Sequence, residues 1–354
     1  MRCRRHGNSP REETTMMTTQ KIAAGGAVAL AIAAAPAGAT ELRFANWLPA
    51  QHVLNTTVFP AWIDSLVEAS GGEIEVAVFP ARQLGAAGDH YDMAANGIAD
   101  IAFINTGYQP GRFPMVGVAE LPFLIDDPVT AETEAFDGWY REYAEEEMSE
   151  VKFCLTFNGG LYALHSVEPV VSIGDIDGMR IRLPNRTLAN YFGAMGATNI
   201  QISAPESREA LERGVADAIL FPWASLFPFG INDVVQNHLD IDMAFNNFAF
   251  VMNQATYDGL SDRAKAAVDS HCTSEWAARI SSGWLAVEAD GRQRLIDDGH
   301  TINVPSAEQL QAFQDAVEPV RNEWLAAAED AGYDGQAAYD ALIEAFAQTP
   351  ANGN

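Results

Sequence analysis

"ALERGVADAILFP", residues 210–222, reads as the last turns of a helix, a glycine that stops it, an Ala-Asp pair and a buried strand. "MAANGIADIAFIN", residues 93–105, runs through the same order. Two copies of one helix-glycine-strand unit, far apart in one chain, predict two similar α/β domains; no array of short-period repeats accompanies them.

The segments around each copy agree. Before the first, "ELRFANWL" is a strand, and "VLNTTVFPAWIDSLVEAS" has apolar residues at helical spacing closed by Gly71-Gly72. "EIEVAVFP" then alternates as a strand and "GDHYDMAANG" is a helix. Around the second copy, "VKFCLTFNGG", "GMRIRLP" and "TNIQIS" are strands, while "NRTLANYFGAMG" and "APESREALERG" are helices. Strands and helices alternating across short loops indicate mostly parallel α/β sheets. After "FAFVMNQATYDGL" the chain is helical from about Ser261 to Asp298, as one long brace or as two helices broken near Gly283. A short strand "HTINVP", helices from Ser306 to Ala347 and a frayed tail complete it.

A length of 354 residues, 48% hydrophobic and 19% charged, suits a two-domain globular protein. "KIAAGGAVALAIAAAPAGA" leads from Lys21 into an apolar run ending in Ala37-Gly38-Ala39, the pattern of a secretory signal peptide cleaved before Thr40. The run is shorter than the ~20 apolar residues of a membrane span, and it holds Gly25, Gly26 and Pro36. Export to the periplasm is therefore expected, with residues 1–39 outside the fold. Five Lys/Arg and two Asp/Glu belong to that leader, so 16 of the 21 cations and 46 of the 48 acids remain, a net charge of −30. So negative a chain repels phosphate backbones and anionic headgroups; neither a nucleic-acid partner nor membrane insertion of the mature chain is expected. Cys154, in "VKFCLTF", and Cys272, in "RAKAAVDSHCTSEW", make no framework and read as two buried, unpaired thiols. With no CxxC and no His/Cys cluster, neither metal nor cofactor is expected.

Catalytic motifs are scarce: GxSxG, GxGxxG, a P-loop and HExxH are all missing. Acid runs such as Glu145-Glu146-Glu147 read as solvated faces. His52 and His165 follow or end strands where a pocket can lie, whereas His90, His238, His271 and His300 read as surface. What remains is the inventory of a binding cleft, aromatic and amide residues at the carboxyl ends of strands, where open α/β sheets take ligands. These are Trp47, Asn105, Tyr108, the "NGGLY" stretch ending in Tyr162, and Phe221, Trp223 and Phe227 in "FPWASLFPF".

"DIDGMRIRLPNRTLANYFGAMGATNIQISAPESREALERGVADAILFP" resembles the periplasmic solute-binding subunits of tripartite ATP-independent periplasmic (TRAP) transporters, the dicarboxylate-binding-protein-like family. "NWLPAQHVLN", "FPARQLGAAGDHYDMAANGIADIAF", "ELPFL" and "FAFVMNQATYDGLSDRAKAAV" extend the likeness over residues 40 to about 345. The resemblance implies an α/β, two-domain periplasmic binding protein fold with hinge strands and a long helix bridging both domains. Domain I is then 40–162 plus about 250–285, domain II is 163–249 plus about 286–345, and 346–354 is a tail. It further implies a small-molecule organic acid as ligand and TRAP membrane permease subunits as partners.

In that family the arginine two residues before the proline of this block grips the ligand carboxylate, a position held here by Arg182. A guanidinium suits the task because its planar fork matches a carboxylate and stays charged in a drying cleft. Alternation in "MRIRL" puts Arg180 and Arg182 on one strand face, and the residues alone would leave both pairing with surface acids, the reading kept for Arg180. Asn185 and Asn105 are expected to add hydrogen bonds, with Trp47, His52, Tyr108, Tyr162, Phe221 and Trp223 around the ligand. Relatives that bind sialic acid or dicarboxylates tend to have a polar Q-x-N-P where this chain has "LFPW", so Phe221 takes the place of a ligand-binding asparagine. Sialic acid binders also carry an arginine just after "NG", where this chain reads "NGGLYALH". One arginine and an apolar wall imply a monocarboxylate with a hydrophobic or aromatic body. The rival readings are a periplasmic α/β enzyme acting on carboxylates and a ligand-sensing subunit for a membrane receptor.

Overall fold

The computed structural model describes residues 38–125 and 130–349, so the expected signal peptide, but for its last two residues, lies outside it. The strands are β1 (Thr40–Ala45), β2 (Ile74–Phe79), β3 (Ile101–Asn105), β4 (Lys152–Asn158), β5 (Tyr162–Ser166), β6 (Arg180–Arg182), β7 (Thr198–Asn199), β8 (Ala218–Pro222), β9 (Asn237–Leu239), β10 (Asn247–Met252) and β11 (Thr301–Asn303). They form a five-stranded sheet in the order β2-β1-β3-β10-β4 and a six-stranded sheet in the order β11-β9-β5-β8-β6-β7. This is the two-domain α/β architecture, one sheet to each half.

The repeated sequence unit sits at the same place in both sheets. β1 pairs with β3 in parallel, Phe44 opposite Ile101 and Ala45 opposite Ala102. β6 pairs with β8 in the same register, Ile181 opposite Ala218 and Arg182 opposite Ile219. The preceding helices are α2 (His90–Ala95) and α5 (Ser207–Glu212); α1 (Phe59–Ser70) comes before α2, and α3 (Thr130–Glu147) and α4 (Arg186–Ala194) lie between the two in the chain. Just past α2 and α5, Gly97 (φ +70°) and Gly214 (φ +64°) take the left-handed turn that a side chain would resist. Each unit's aspartate then clamps an arginine on the neighbouring strand. Asp100 accepts the backbone N–H and Nε–H of Arg43, whose Nη2 reaches Gly97 O at 2.8 Å. Asp217 accepts the backbone N–H and Nε–H of Arg180, whose Nη1 reaches Gly214 O at 2.6 Å. Arg180 thus closes a turn, as Arg43 does, and the residue two further along is Ala45 in one half and Arg182 in the other.

Antiparallel neighbours complete the sheets and join them. β10 lies between β3 and β4, and β5 lies between β8 and β9. The chain therefore passes between sheets three times, after β4, before β10 and again between β10 and β11, and the first two passages run side by side. Gly159 N donates to Asn246 O, Tyr162 N to Ala244 O and Met243 N to Tyr162 O.

The helical stretch over 261–298 is broken twice, at residues 272–273 and at 286–287, the second close to the break expected near Gly283. After α6 (Gln254–Gly259) come α7 (Asp262–His271), α8 (Ser274–Leu285) and α9 (Glu288–Asp297). Thr273 caps α8 by accepting Trp276 N–H, a start signal inside the apparent long helix. α8 packs on β4 and α3, while α9 packs against segment 224–226, so the pair spans both halves in tandem. Among the C-terminal helices α10 (Ala307–Asp315), α11 (Glu318–Asp330) and α12 (Gly335–Ala347), α11 lies against α4 and α12 against α3.

Cys154 and Cys272 are joined in a disulfide, which corrects the unpaired-thiol expectation. Cys154 lies in β4 and Cys272 caps α7, 118 residues apart, so only the packing of α7 and β4 brings them together. Among the described residues no helix is long and apolar enough to cross a membrane.

Candidate functional site

Strand ends from both sheets converge on a small, largely enclosed cavity. Trp47, Leu48 and His52 follow β1; Asn105 and Tyr108 come from the end of β3; Tyr162 opens β5; Arg182 closes β6; Phe221 and Pro222 close β8. Ala204, Ser225, Phe229, Phe248 and Trp284 complete the lining. The side chains close on one another and leave about 10 Å³ among them, room for about one water and far below the roughly 300–1,000 Å³ of an open small-molecule site. A wider groove between segment 106–120 and helices α4 and α11 is lined by the exposed Arg186 and Glu323 and by the buried Thr106 and Glu120.

Arg182 dominates the cavity. It is 1% exposed and the one buried lysine or arginine among the described residues. Its Nε donates to Ile202 O at 3.2 Å and its Nη2 to Tyr108 Oη at 3.1 Å. Nη1 is buried with no acceptor among the described residues. No carboxylate among the described residues forms an ion pair with it, although burying an unpaired cation costs several kcal/mol or more. Tyr108 Oη also accepts Ala204 N–H at 2.7 Å. With two donors already on its lone pairs, the phenol has only its proton left to offer. Tyr108 reaches Arg182 because Gly107 brings the loop after β3 against the loop after β6: a Cβ there would lie 2.6 Å from Asn185 Cβ and 3.0 Å from Pro184 O.

The rest of the lining is aromatic. Trp47 stacks on Phe103 at 5.2 Å and tilts against Tyr108 at 5.7 Å and Phe248 at 6.2 Å. Phe221 stacks on Tyr162 at 6.5 Å, meets Phe229 edge-on at 5.3 Å, and lies 6.0 Å from Arg182 Cζ. His52 is buried, and burial pushes its pKa down to about 3, so it is neutral.

Seven of the nine residues named from the sequence line this cavity: Trp47, His52, Asn105, Tyr108, Tyr162, Arg182 and Phe221. Asn185 and Trp223 do not. Asn185 caps α4, its Oδ1 accepting Leu188 N–H while Nδ2 donates to Asn246 Oδ1. Trp223 packs edge-on against His165 at 4.9 Å and over His238 at 5.5 Å. Phe227 lies under the Arg294 guanidinium, 3.8 Å from its centre.

The remaining histidines depart from the expected surface positions. His90, His238 and His271 are buried. His165 Nε2–H donates to Phe221 O at 2.9 Å, which leaves Nδ1 to accept from His238 Nδ1–H at 2.7 Å, and His238 Nε2 to accept from His300 Nδ1–H at 2.9 Å. This chain of neutral rings braces the Phe221 wall from behind. Burial holds His165 near a pKa of about 4 and His238 near about 2.

Ser225 stands in "FPWASLFPF", where a small polar side chain among aromatics carries no local signal for a site. Phe248 and Trp284 had no local signal, because they reach the cavity only through the insertion of β10 and the packing of α8.

Comparison with known proteins bears on the family and the fold. The sequence pattern described as bacterial extracellular solute-binding protein, family 7, matches residues 44–327. The sialic acid-binding periplasmic protein SiaP of Vibrio cholerae is 24% identical over 266 residues, 74% of this chain and 81% of that protein. A TRAP solute-binding protein of Rhodoferax ferrireducens, crystallised with copurified benzoate, superposes with a TM-score of 0.84 at 24% identity, covering 88% of this chain and 98% of its own. A marine metagenome TRAP solute-binding protein specific for aromatic acid ligands, in complex with 3-hydroxybenzoate, superposes with a TM-score of 0.83 at 27% identity, covering 88% of this chain and 99% of its own.

Proposed function

This chain belongs to family 7 of the bacterial extracellular solute-binding proteins, and we propose that it captures an organic monocarboxylate with an aromatic or other apolar body for a TRAP transporter. The observation that carries the reading is Arg182, buried with Nη1 unpaired among the described residues. A ligand carboxylate set against Nη1 and the Tyr108 hydroxyl would supply the missing counter-charge, and the aromatic walls would hold the body. The cavity holds no second buried cation, so a dicarboxylate would bury an unmatched charge there, at several kcal/mol. The marine protein's complex with 3-hydroxybenzoate supports the same class.

Residues 1–39 direct export in this reading, and separate membrane permease subunits receive the solute. Domain I is 40–162 plus about 250–285, and domain II is 163–249 plus about 286–345, hinged at the paired passages after β4 and before β10. The ligand favours the closed arrangement because its contacts come from both sheets at once: Tyr108 and Trp47 from the first, Arg182 and Phe221 from the second. A thermal-shift screen of organic acids tests the ligand class. Benzoate and its substituted or branched analogues should raise Tm at concentrations where succinate and sialic acid do not. A clear preference for succinate or sialic acid would overturn the monocarboxylate reading.

A further inference from the structure

We propose that the occupant of this cavity carries, besides its carboxylate, an oxygen that only accepts a hydrogen bond, and that Ser225 is the specificity-determining residue that donates to it. The inference rests on the carboxylate reading of Arg182 and adds a second polar contact to it.

The argument follows proton positions. Leu54 N–H donates to His52 Nδ1 at 3.2 Å, which places the ring proton of the neutral imidazole on Nε2. Nε2 lies 3.1 Å from Ser225 Oγ and therefore donates to it. The serine oxygen is thereby an acceptor, its own proton is free, and among the described residues it donates to nothing. Ser225 is 2% exposed and faces the cavity. Trp47 Nε1, in the same wall, is likewise buried without an acceptor among the described residues.

Tyr108 repeats the pattern at the guanidinium: Ala204 N–H and Arg182 Nη2 occupy its lone pairs, and its proton remains. Each hydroxyl also joins the two sheets, Tyr108 of the first to Arg182 and Ala204 of the second, and His52 of the first to Ser225 of the second. Arg182 Nη1, Tyr108, Ser225 and Trp47 thus present donors. A hydrocarbon body satisfies only the carboxylate pair, and an ammonium or amide N–H would meet another donor at Ser225. An ether or carbonyl oxygen, which only accepts, satisfies both ends.

Calorimetry with benzoate, the meta and para methoxybenzoates and the shape-matched ethylbenzoates separates oxygen from carbon at one position. For the better-placed isomer, methoxy should bind about five- to tenfold more tightly than ethyl, as one net hydrogen bond implies. In Ser225→Ala that ratio should fall to within about twofold. Equal binding of methoxy and ethyl isomers in the unmutated protein, or a ratio that survives Ser225→Ala, overturns the assignment. If benzoate binds with dependence on Arg182 while the ratio is flat, the carboxylate reading stands and this inference alone fails; if none of the series binds, both fail.

Discussion

Arg180 and Arg182 show how far local sequence reaches. Alternation places both on one strand face, yet one is a turn clamp held by Asp217 and the other a buried, uncompensated guanidinium. The clamp was legible in principle from the internal repeat, because Arg43 and Asp100 stand in the same register as Arg180 and Asp217. That register also isolates Arg182, whose counterpart is Ala45. From residues alone both arginines read as surface partners of acids; the family resemblance singled out Arg182, and its burial was visible only in the fold. Trp47, Tyr108 and Phe221 were found by their places at strand ends, a positional signal that failed for Trp223, which lies just past β8 and packs on His165 and His238 instead of lining the cavity.

Elements were readable where their signals are local. The helix stops at Gly71 and Gly214 and the parallel β1-β3 and β6-β8 pairs follow from short-range pattern. The insertion of β10 between β3 and β4 does not, since it joins strands separated by most of a domain. The disulfide belongs to the same class of long-range fact. It ties β4 to the end of α7, next to the chain passage after β4, and closes a loop of 118 residues. Intact-mass analysis of the purified protein, with and without reductant, should show the Cys154-Cys272 bond. Cys154→Ser with Cys272→Ser should lose about 2–5 kcal/mol of stability in denaturant titrations. Two free thiols in the non-reduced protein would remove the bond from the account.

The molecule as a whole carries opposing sets of buried titratable groups, and their signs fix its stability profile. His52, His165 and His238 have pKa values pushed by burial from 6.5 to about 3, 4 and 2, so the unfolded chain takes up protons below pH 6.5 that the folded protein refuses. Their contribution is complete above pH 6.5 and is lost on acidification. Glu120, Glu147 and Glu288 are pushed by burial from 4.5 up to about 8, 7 and 7, so the folded protein keeps protons that the unfolded chain releases above pH 4.5. Their contribution is complete below pH 4.5 and is lost as pH rises to about 8. The two slopes offset between about pH 4.5 and 6.5, and the acidic surface adds repulsion on the alkaline side. Tm should therefore be nearly level from pH 4.5 to 6.5 and fall between pH 6.5 and 8; a Tm that climbs across that upper range contradicts these assignments.

The same whole-molecule view identifies the central claim: one buried cation, in ion-pair contact with no carboxylate among the described residues, is reserved for a ligand that joins both sheets. Isothermal titration of benzoate into the unmutated protein and into Arg182→Ala tests it most directly. The account predicts a loss of about 2–5 kcal/mol of binding free energy in the variant, whereas benzoate bound with equal affinity by both proteins would contradict it.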